Sequence, residues 1–203
     1  MASSIDTAIP PFGNPTTAGV RNNFSAAKNE IEHLQTAHFI RVQHVSESIE
    51  VFQQCAVSNT PQVIEFNQEL FNNGSVFTFD DPNNEIVIGE TGWYGALLSY
   101  HVVRKVATSA VDFHIHSQLK APSGSFTNFP GSLRSITLPG AVANEKAFHT
   151  IAFISQITEA GTRLRWLQTT SDATKEVGII TYPAAGSLPG SAGVSLSVWR
   201  IGE

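Results

Sequence analysis

The chain has 203 residues, a net charge of −5 at pH 7 and a single cysteine, Cys55. This length suits one domain of ordinary size with an appendage. The acidic balance and the lack of any Lys/Arg cluster exclude a nucleic-acid-binding protein, because phosphate binding needs a basic surface. One cysteine excludes an intrachain disulfide, and we expect it to be a small buried residue rather than a nucleophile. Low charge and thirteen phenylalanines favour a β-sandwich over a helical protein.

The first thirteen residues are predicted to be an extended leader, because Pro10, Pro11 and Gly13 leave no helix or strand periodicity. They have neither a basic start nor an apolar run, so we expect no secretory signal. No apolar stretch of the chain approaches the ~20 residues of a membrane helix, and we expect a protein that is assembled in a cytoplasm, without membrane contact. Three apolar side chains of the leader are predicted to dock into pockets on a partner: Ile5, Ile9 and Phe12.

A helix is predicted to begin after Asn14, which is a good N-cap, with Pro15 at the first helical position. Apolar residues then recur at alternating spacings of four and three: Val20, Phe24, Ala27, Ile31 and Leu34, with His38 as a weaker last member. This heptad seam predicts a short three-stranded coiled-coil neck within residues 14–45. The alternative is a single amphipathic helix that lies on the side of its own domain.

Residues 46–203 are predicted to form a β-domain, the head. Its first elements are a strand from Phe66 to an Asn73-Gly74 hairpin turn, a strand Val76–Phe79, a turn Asp81–Asn84, a strand Glu85–Ile88, and a long strand that Gly92 opens and that ends near Lys105. Two alternating segments near the C-terminus, residues 163–167 and 194–201, are also predicted strands. Gly, Pro and Ser between residues 121 and 146 indicate loops.

This order of elements resembles the globular head of the first complement component, a branch of the tumour-necrosis-factor-like jelly rolls. The resemblance covers roughly residues 63–201 and rests on these positions: Phe66, Asn72, Phe77, Gly92, Tyr94, Ala160-Gly161 and the final strand Val194–Ile201. This chain departs from the family where Ile86 replaces an aromatic residue and where Thr162 stands in place of an acidic one. The resemblance implies a homotrimeric jelly-roll β-sandwich that binds other molecules and catalyses nothing, with Tyr94 and Trp199 between subunits near the threefold axis.

Residues 11–35 resemble the opening of phage structural and fibre proteins. There a Gly-(Asp/Asn)-Pro leader precedes an Asn-Phe-x-Ala-Ala-Lys-x-Glu-Ile helix, and here Gly13-Asn14-Pro15 precedes Asn23–Ile31. The resemblance implies a virion protein that is joined to a capsid, neck or tail by its leader. We therefore expect a trimeric short fibre or decoration spike with a docking leader (1–13), a neck (14–45) and a head (46–203), and with no cofactor.

Two groups of polar residues are candidate metal sites. Asp112, His114 and His116 alternate along one predicted strand and therefore share a face, which would suit imidazole and carboxylate ligation. The favoured interpretation is that the residues between them, Phe113 and Ile115, fill the core while the polar three face outward. A weaker calcium candidate is formed by three acidic residues near the first turns: Asp80, Asp81 and Glu85.

The sequence does not indicate an enzyme, because it has neither a Gly-x-Ser-x-Gly elbow nor a His-Glu-x-x-His motif. A hydrolase of host polysaccharide stays a minor alternative, since its paired carboxylates would be close in space rather than in sequence. The main alternative to a purely structural protein is a glycan-binding adhesin for the host surface. Its loops would be residues 123–128 and 170–175, with Phe126 and Phe129 as the aromatic candidates for sugar contact.

Overall fold

The computed structural model describes residues 17–35, 38–46, 49–140, 142–185 and 189–202. The chain divides into two units with a break between residues 37 and 38. The predicted docking residues Ile5, Ile9 and Phe12 lie outside the described residues. In the part that is described, no helix is both long enough and apolar enough to cross a membrane.

The first unit contains helix α1 (Thr17–Gln35). Of the predicted seam, Phe24 is 73% exposed and Ala27 is half-buried, so neither is buried within one chain. The side chains of the other seam residues lie outside the described part of the chain: Val20, Ile31 and Leu34.

The predicted neck segment is not helical to its end. His38 lies outside the helix, and residues 39–44 form a strand of the second unit. The physical reason is a change of period, because Ile40, Val42 and His44 are buried while the residues between them are not, which is the two-residue alternation of a strand.

The second unit is mainly β and consists of two antiparallel sheets that form a β-sandwich. Its strands, in chain order, are β1 (Phe39–His44), β2 (Val51–Gln54), β3 (Gln62–Val63), β4 (Gln68–Asn73), β5 (Phe77–Asp80), β6 (Glu85–Ile88), β7 (Gly92–Arg104), β8 (Val111–Lys120), β9 (Thr127–Asn128), β10 (Arg134–Leu138), β11 (Glu145–Ile157), β12 (Thr162–Thr170), β13 (Val177–Thr181) and β14 (Val194–Gly202).

The first sheet is built around β7. Strand β11 pairs with β7 along its whole length, so β13 and β14 share the opposite edge of β7. From β14 the sheet continues through β1 to β4, and from β13 it continues to β2. The second sheet has the order β10-β8-β12-β6-β5, with the short strands β3 and β9 paired to β12 and β8.

The core lies between the two sheets and is held by aromatic contacts that cross from one sheet to the other. Three such pairs have ring centroids 5.7, 6.0 and 5.4 Å apart: Phe77–Tyr94, Tyr100–Phe113 and Phe153–Trp166. Each contact of this kind stabilises a protein by about 0.5–1.5 kcal/mol beyond the area that it buries. Cys55 is fully buried, as expected, and burial raises the pKa of its thiol to about 12, which keeps it unreactive.

Most predicted elements between Phe66 and Lys105 are confirmed, but the hairpin at Asn73-Gly74 is wrong. Strand β4 pairs with β1 in the first sheet, whereas β5 pairs with β6 in the second, so this turn carries the chain from one sheet to the other. The glycine is still required, because its φ is +108° and a Cβ there would meet the His38 ring at 2.5 Å. The region 121–146 is not all loop either, since β10 pairs with β8 there.

We expect Leu98→Ala to lower the free energy of unfolding by about 2–5 kcal/mol, because Leu98 is fully buried at the centre of β7 and its loss leaves a cavity. The matched control is Leu133→Ala, since Leu133 is 57% exposed and its truncation should change stability by less than about 0.5 kcal/mol. Denaturant unfolding of the two variants measures both values. Equal losses would contradict this description of the core.

Candidate interaction surface

The outer face of the first sheet is apolar. Along β1, β7, β11 and β14 the side chains that alternate with core residues point away from the sandwich, and together with Phe71 of β4 they form what we call the apolar face. Its apolar members are Phe39, Phe71, Trp93, Leu97, Phe148, Ala152, Ile154 and Trp199. Several are strongly exposed, including Ile154 at 62% and Phe148 at 58%. Exposed apolar side chains grouped on one face of a sheet in this way indicate a candidate interaction site.

Trp199 is one of the two residues that the sequence predicts between subunits, and it lies on the apolar face. Its register partner on β7 is Gly95, and a Cβ at Gly95 would be only 2.4 Å from the indole ring. The glycine therefore lets the indole lie against the sheet backbone. The neighbouring side chain on β1, Phe39, pairs with Trp199 in register and contacts Phe71 at 5.8 Å.

The second predicted interface residue, Tyr94, points the other way. It is only 2% exposed within a single chain, its ring packs against Phe77, and its hydroxyl donates to the Glu90 carbonyl at 3.0 Å. Tyr94 is therefore a core residue and offers no surface to another subunit. The alternation of β7 explains this, because the adjacent Trp93 is the residue that is exposed.

A shallow depression of about 330 Å³ lies within the apolar face. Its lining residues are Arg41, Leu97, Ser99, Phe148, Ala192, Ser195 and Ser197. The Nε of Arg41 donates to the Ser195 hydroxyl at 3.1 Å, and the hydroxyls of Ser99 and Thr150 are hydrogen-bonded to each other at 3.1 Å. The polar groups of this face are therefore mostly small hydroxyls that already have partners.

His101 lies at the end of this face. Its ring is 4.9 Å from that of Phe148 and 6.2 Å from that of Tyr182, and burial lowers its pKa. The Nζ of Lys146 lies over the Tyr182 ring, at 4.3 Å from its centroid.

The outer face of the second sheet has the opposite chemistry. Its side chains are charged or polar and bind one another across the strands. Arg163 of β12 donates to Asp80 and to Glu85, both at 2.6 Å. The hydrogen bond from Arg163 lowers the pKa of Asp80, which favours the charged carboxylate. A guanidinium thus holds two members of the predicted calcium candidate, and the third, Asp81, begins a short 3₁₀ turn.

The candidate metal ligands on β8 also have other partners. Asp112 accepts a hydrogen bond from the Thr137 hydroxyl at 2.6 Å, and the Nδ1 of His114 lies 2.6 Å from the Ser135 hydroxyl. His116 is buried, and burial lowers its pKa. Among the described residues there is no group of three or more His, Cys, Asp or Glu side chains that could hold a metal ion.

The two loops that the sequence predicts for sugar contact differ in character. Phe126 lies beneath the guanidinium of Arg165, at 3.6 Å from its ring centroid, whereas Phe129 packs against Phe153. In the other loop, Asp172 caps the turn Ala173–Lys175 through Thr174, and its hydrogen bond with the Thr174 hydroxyl lowers the Asp172 pKa.

Neither protein-family models nor curated protein sequences match this chain.

Sequence reasoning missed most of the apolar face, although a signal for it exists. Residues 93–98 of β7 and 151–154 of β11 are apolar at consecutive positions, so both faces of each strand are apolar there. Such a strand is typical of a sheet that is covered on both sides. Within this chain only one side of the first sheet is covered by the second sheet.

The buried histidines predict a pH dependence of stability. Burial lowers the pKa of His44, His101 and His116 below the ordinary 6.5, so the unfolded chain binds protons more readily than the folded one. The neutral histidines therefore make their full contribution to the free energy of unfolding above pH 6.5, and this contribution falls as the pH drops below that value. Denaturant unfolding at about pH 7.5 and about pH 5.5 should show this loss. The triple variant with asparagine at the three positions should show a smaller difference between the two pH values, and an unchanged difference would contradict the assignment.

Proposed function

We propose that this protein is a non-enzymatic virion protein of a phage, a homotrimeric short fibre or decoration spike that attaches to a capsid or tail through its N-terminus. The observation that carries the proposal is the apolar face on the outside of the first sheet. The predicted order of docking leader, helix and head along the chain supports attachment through the N-terminus.

The strand order supports a tumour-necrosis-factor-like jelly roll for the head. Eight strands can be numbered in chain order from one to eight: β1, β6, β7, β8, β10, β11, β12 and β14. In these numbers the first sheet contains the order 1-8-3-6 and the second the order 2-7-4-5. The first and last strands are thus neighbours, and only strands 4 and 5 are consecutive in one sheet. Two sheets of four strands with this alternation are the arrangement of a double Greek-key jelly roll.

The partner that covers the apolar face is, in this proposal, two further copies of the chain. Around Leu97 the face carries mainly apolar and small hydroxyl residues, and the one cation of the depression, Arg41, binds the Ser195 hydroxyl, so a strongly charged partner is not needed. Helix α1 also needs a partner that covers apolar side chains. Phe24 of the heptad seam is exposed within one chain, and a heptad seam is buried by packing against parallel helices. Identical copies satisfy both features at once, since a trimeric head brings three helices together at high effective concentration.

The virion assignment comes from the resemblance of residues 11–35 to phage structural proteins. A leader rich in proline and glycine that carries Ile5, Ile9 and Phe12 suits ordering on a partner, with its apolar side chains in pockets of another virion protein. Three leaders on one trimer would bind together, so weak individual contacts give durable attachment. Assembly in the host cytoplasm follows from the same proposal.

A second candidate function is an adhesin that binds host-surface glycan, and one observation favours it. Phe126, which lies in a predicted sugar-contact loop, is flanked by two cationic side chains, Lys120 and Arg165. The two candidate functions are compatible, because a fibre can also carry the receptor-binding surface.

The trimer is tested by light scattering on the purified protein, which should give three times 21.9 kDa. Ile154→Asp should shift this mass toward that of one chain, because it places three carboxylates in the buried interface and desolvates them. Ile154 is exposed within a single chain, so the variant should keep its fold by circular dichroism. The control is Val57→Asp, an exposed apolar residue in the loop after β2 that should leave the trimer intact. A monomeric wild-type protein would contradict the proposal.

The virion assignment is tested by deletion of residues 1–13. We expect a folded trimer that no longer enters particles lacking the native protein, as read by gel and by imaging of the particles. The control replaces residues 1–13 by a Gly/Ser segment of the same length, which keeps the spacing but removes the apolar side chains and should also fail to enter. Normal occupancy of either variant would show that the head is the docking surface.

A further inference from the structure

A second surface on the head has unbalanced positive charge. It lies on the outer face of the second sheet, where β8 and β12 run side by side. Lys120 is the register partner of Arg163, and Gln118 is the register partner of Arg165, so all four side chains share this face. We call Lys120, Arg165, Phe126, Gln118 and Asn128 the cationic cluster.

The charges of this face do not cancel. Both nearby carboxylates, Asp80 and Glu85, bind Arg163. In the described part of the chain, neither Lys120 nor Arg165 has a carboxylate within ion-pair distance. Because both carboxylates are bound to Arg163, the positive charge left uncompensated on this face is that of Lys120 and Arg165. An anion bound beside these two cations would balance it.

Arg165 is held in one orientation. Its Nε and Nη2 both donate to the Oε1 of Gln118, at 2.9 and 2.8 Å, and its guanidinium stacks on the Phe126 ring. The remaining terminal nitrogen, Nη1, has no hydrogen bond within the described residues. A planar donor that is fixed on one edge and open at the other is well suited to bind an oxyanion.

The rest of the cluster is ordered by the same short segment. Strand β9 folds back on β8, so that Asn128 faces Gln118 and its Oδ1 accepts from Nε2 of Gln118 at 2.8 Å. This fold-back places Phe126 between Arg165 and Lys120, whose Nζ is 5.6 Å from the ring centroid. The cluster therefore presents, side by side, two cations, a half-buried aromatic ring and two amides.

We propose that the cationic cluster binds the acid groups of an anionic polysaccharide. The two cations supply sites for a carboxylate or sulfate, and the amides suit sugar hydroxyls. The site is an open surface rather than a cavity, so it fits a polymer that repeats the same acid group better than a small enclosed ligand. Nucleic acid does not fit, because the chain carries a net charge of −5 and the cluster has only two cations.

This inference deepens the adhesin function and does not depend on trimer formation or on attachment to a virion. Because its surface is on the second sheet, a variant that is monomeric through the apolar face should keep the intrinsic site. Polysaccharide binding therefore tests the cationic cluster, whereas light scattering tests the trimer, and either proposal can fail without the other.

The test measures binding of the full chain, at low salt, to three polymers of similar length: polygalacturonate, dextran sulfate and neutral dextran. We expect binding to at least one of the two acidic polymers and none to neutral dextran. Binding to polygalacturonate identifies a carboxylate as the recognised group, and binding to dextran sulfate identifies a sulfate ester. Raising the salt concentration should weaken the binding, since exposed charges are screened.

Variants locate the site. Arg165→Gln and Lys120→Gln should each weaken binding about tenfold, which is the effect of losing one charge-assisted contact. Arg165→Lys keeps the charge but loses the planar fork and should fall between wild type and Arg165→Gln. The matched control is Arg134→Gln, an exposed arginine on β10 whose loss changes the net charge equally.

Four results would overturn the proposal: no binding to either acidic polymer, equal binding to neutral dextran, unchanged binding by both Arg165→Gln and Lys120→Gln, or an equal loss with Arg134→Gln. Circular dichroism and the unfolding midpoint of each variant show whether it is folded. If Arg165→Gln does not fold, Lys120→Gln decides the outcome, because Lys120 makes only a distant contact with Phe126.

Discussion

The alternation of side chains along β7 is the constraint on which the rest of the head depends. One side of this strand supplies Tyr94 and Tyr100 to the aromatic contacts between the sheets, and the other side supplies Leu97 to the apolar face. At the end of the strand Arg104 is fully buried, and its guanidinium binds Glu145 of β11 at 3.2 Å. Removal of Glu145 would leave the buried Arg104 guanidinium without its carboxylate, so the register of β7 and β11 is favoured at this end as well.

The two outer faces of the sandwich give it two separate functions in our proposals. On the first sheet the outward residues of β7, β11 and β14 are mostly apolar or small hydroxyl residues, with His101, Lys146 and Gln156 toward the strand ends, which suits burial of the central part against other copies. On the second sheet Arg163, Asp80 and Glu85 form an ion network in which Arg163 and Asp80 are partly exposed and Glu85 is buried. A network of this type adds little stability where solvent screens it. Its effect is to neutralise Arg163, so that among the described residues the other two cations of β8 and β12, Lys120 and Arg165, have no carboxylate partner.

Much of the fold could be predicted from the sequence because turn residues have local causes. Asn84 adopts φ +56° at the end of the Asp81–Asn83 turn, as an asparagine readily does, and its side chain accepts from the Phe66 N–H at 2.7 Å. The sequence also predicts the position of the Asn73-Gly74 turn correctly. Whether the two strands that flank it pair with each other depends on the sheet to which each strand belongs. Local sequence does not contain that information.

The candidate sites were harder to predict for a related reason. The resemblance predicts that Tyr94 lies at an interface. The alternation of side chains along β7 places it in the core instead, and Trp93 is exposed. Phe126 was recognised as a loop aromatic, yet its partner Arg165 is distant in sequence and meets it only because β9 folds back on β8. Contacts of this kind depend on sheet register, which a pattern of single residues does not determine.

The separation of the two faces has a consequence for binding strength. If the first sheets of three subunits meet at an axis, the second sheets must lie on the outside of the assembly, and three cationic clusters then face solvent. A single cluster with two cations on an open surface would bind one acid group weakly, since water and salt compete for it. A polysaccharide that repeats its acid group could engage several clusters of one trimer, and the linked contacts would hold far more firmly than one. Assembly through the apolar face would in this way convert a weak surface site into a durable attachment, although no residue is shared between the two surfaces.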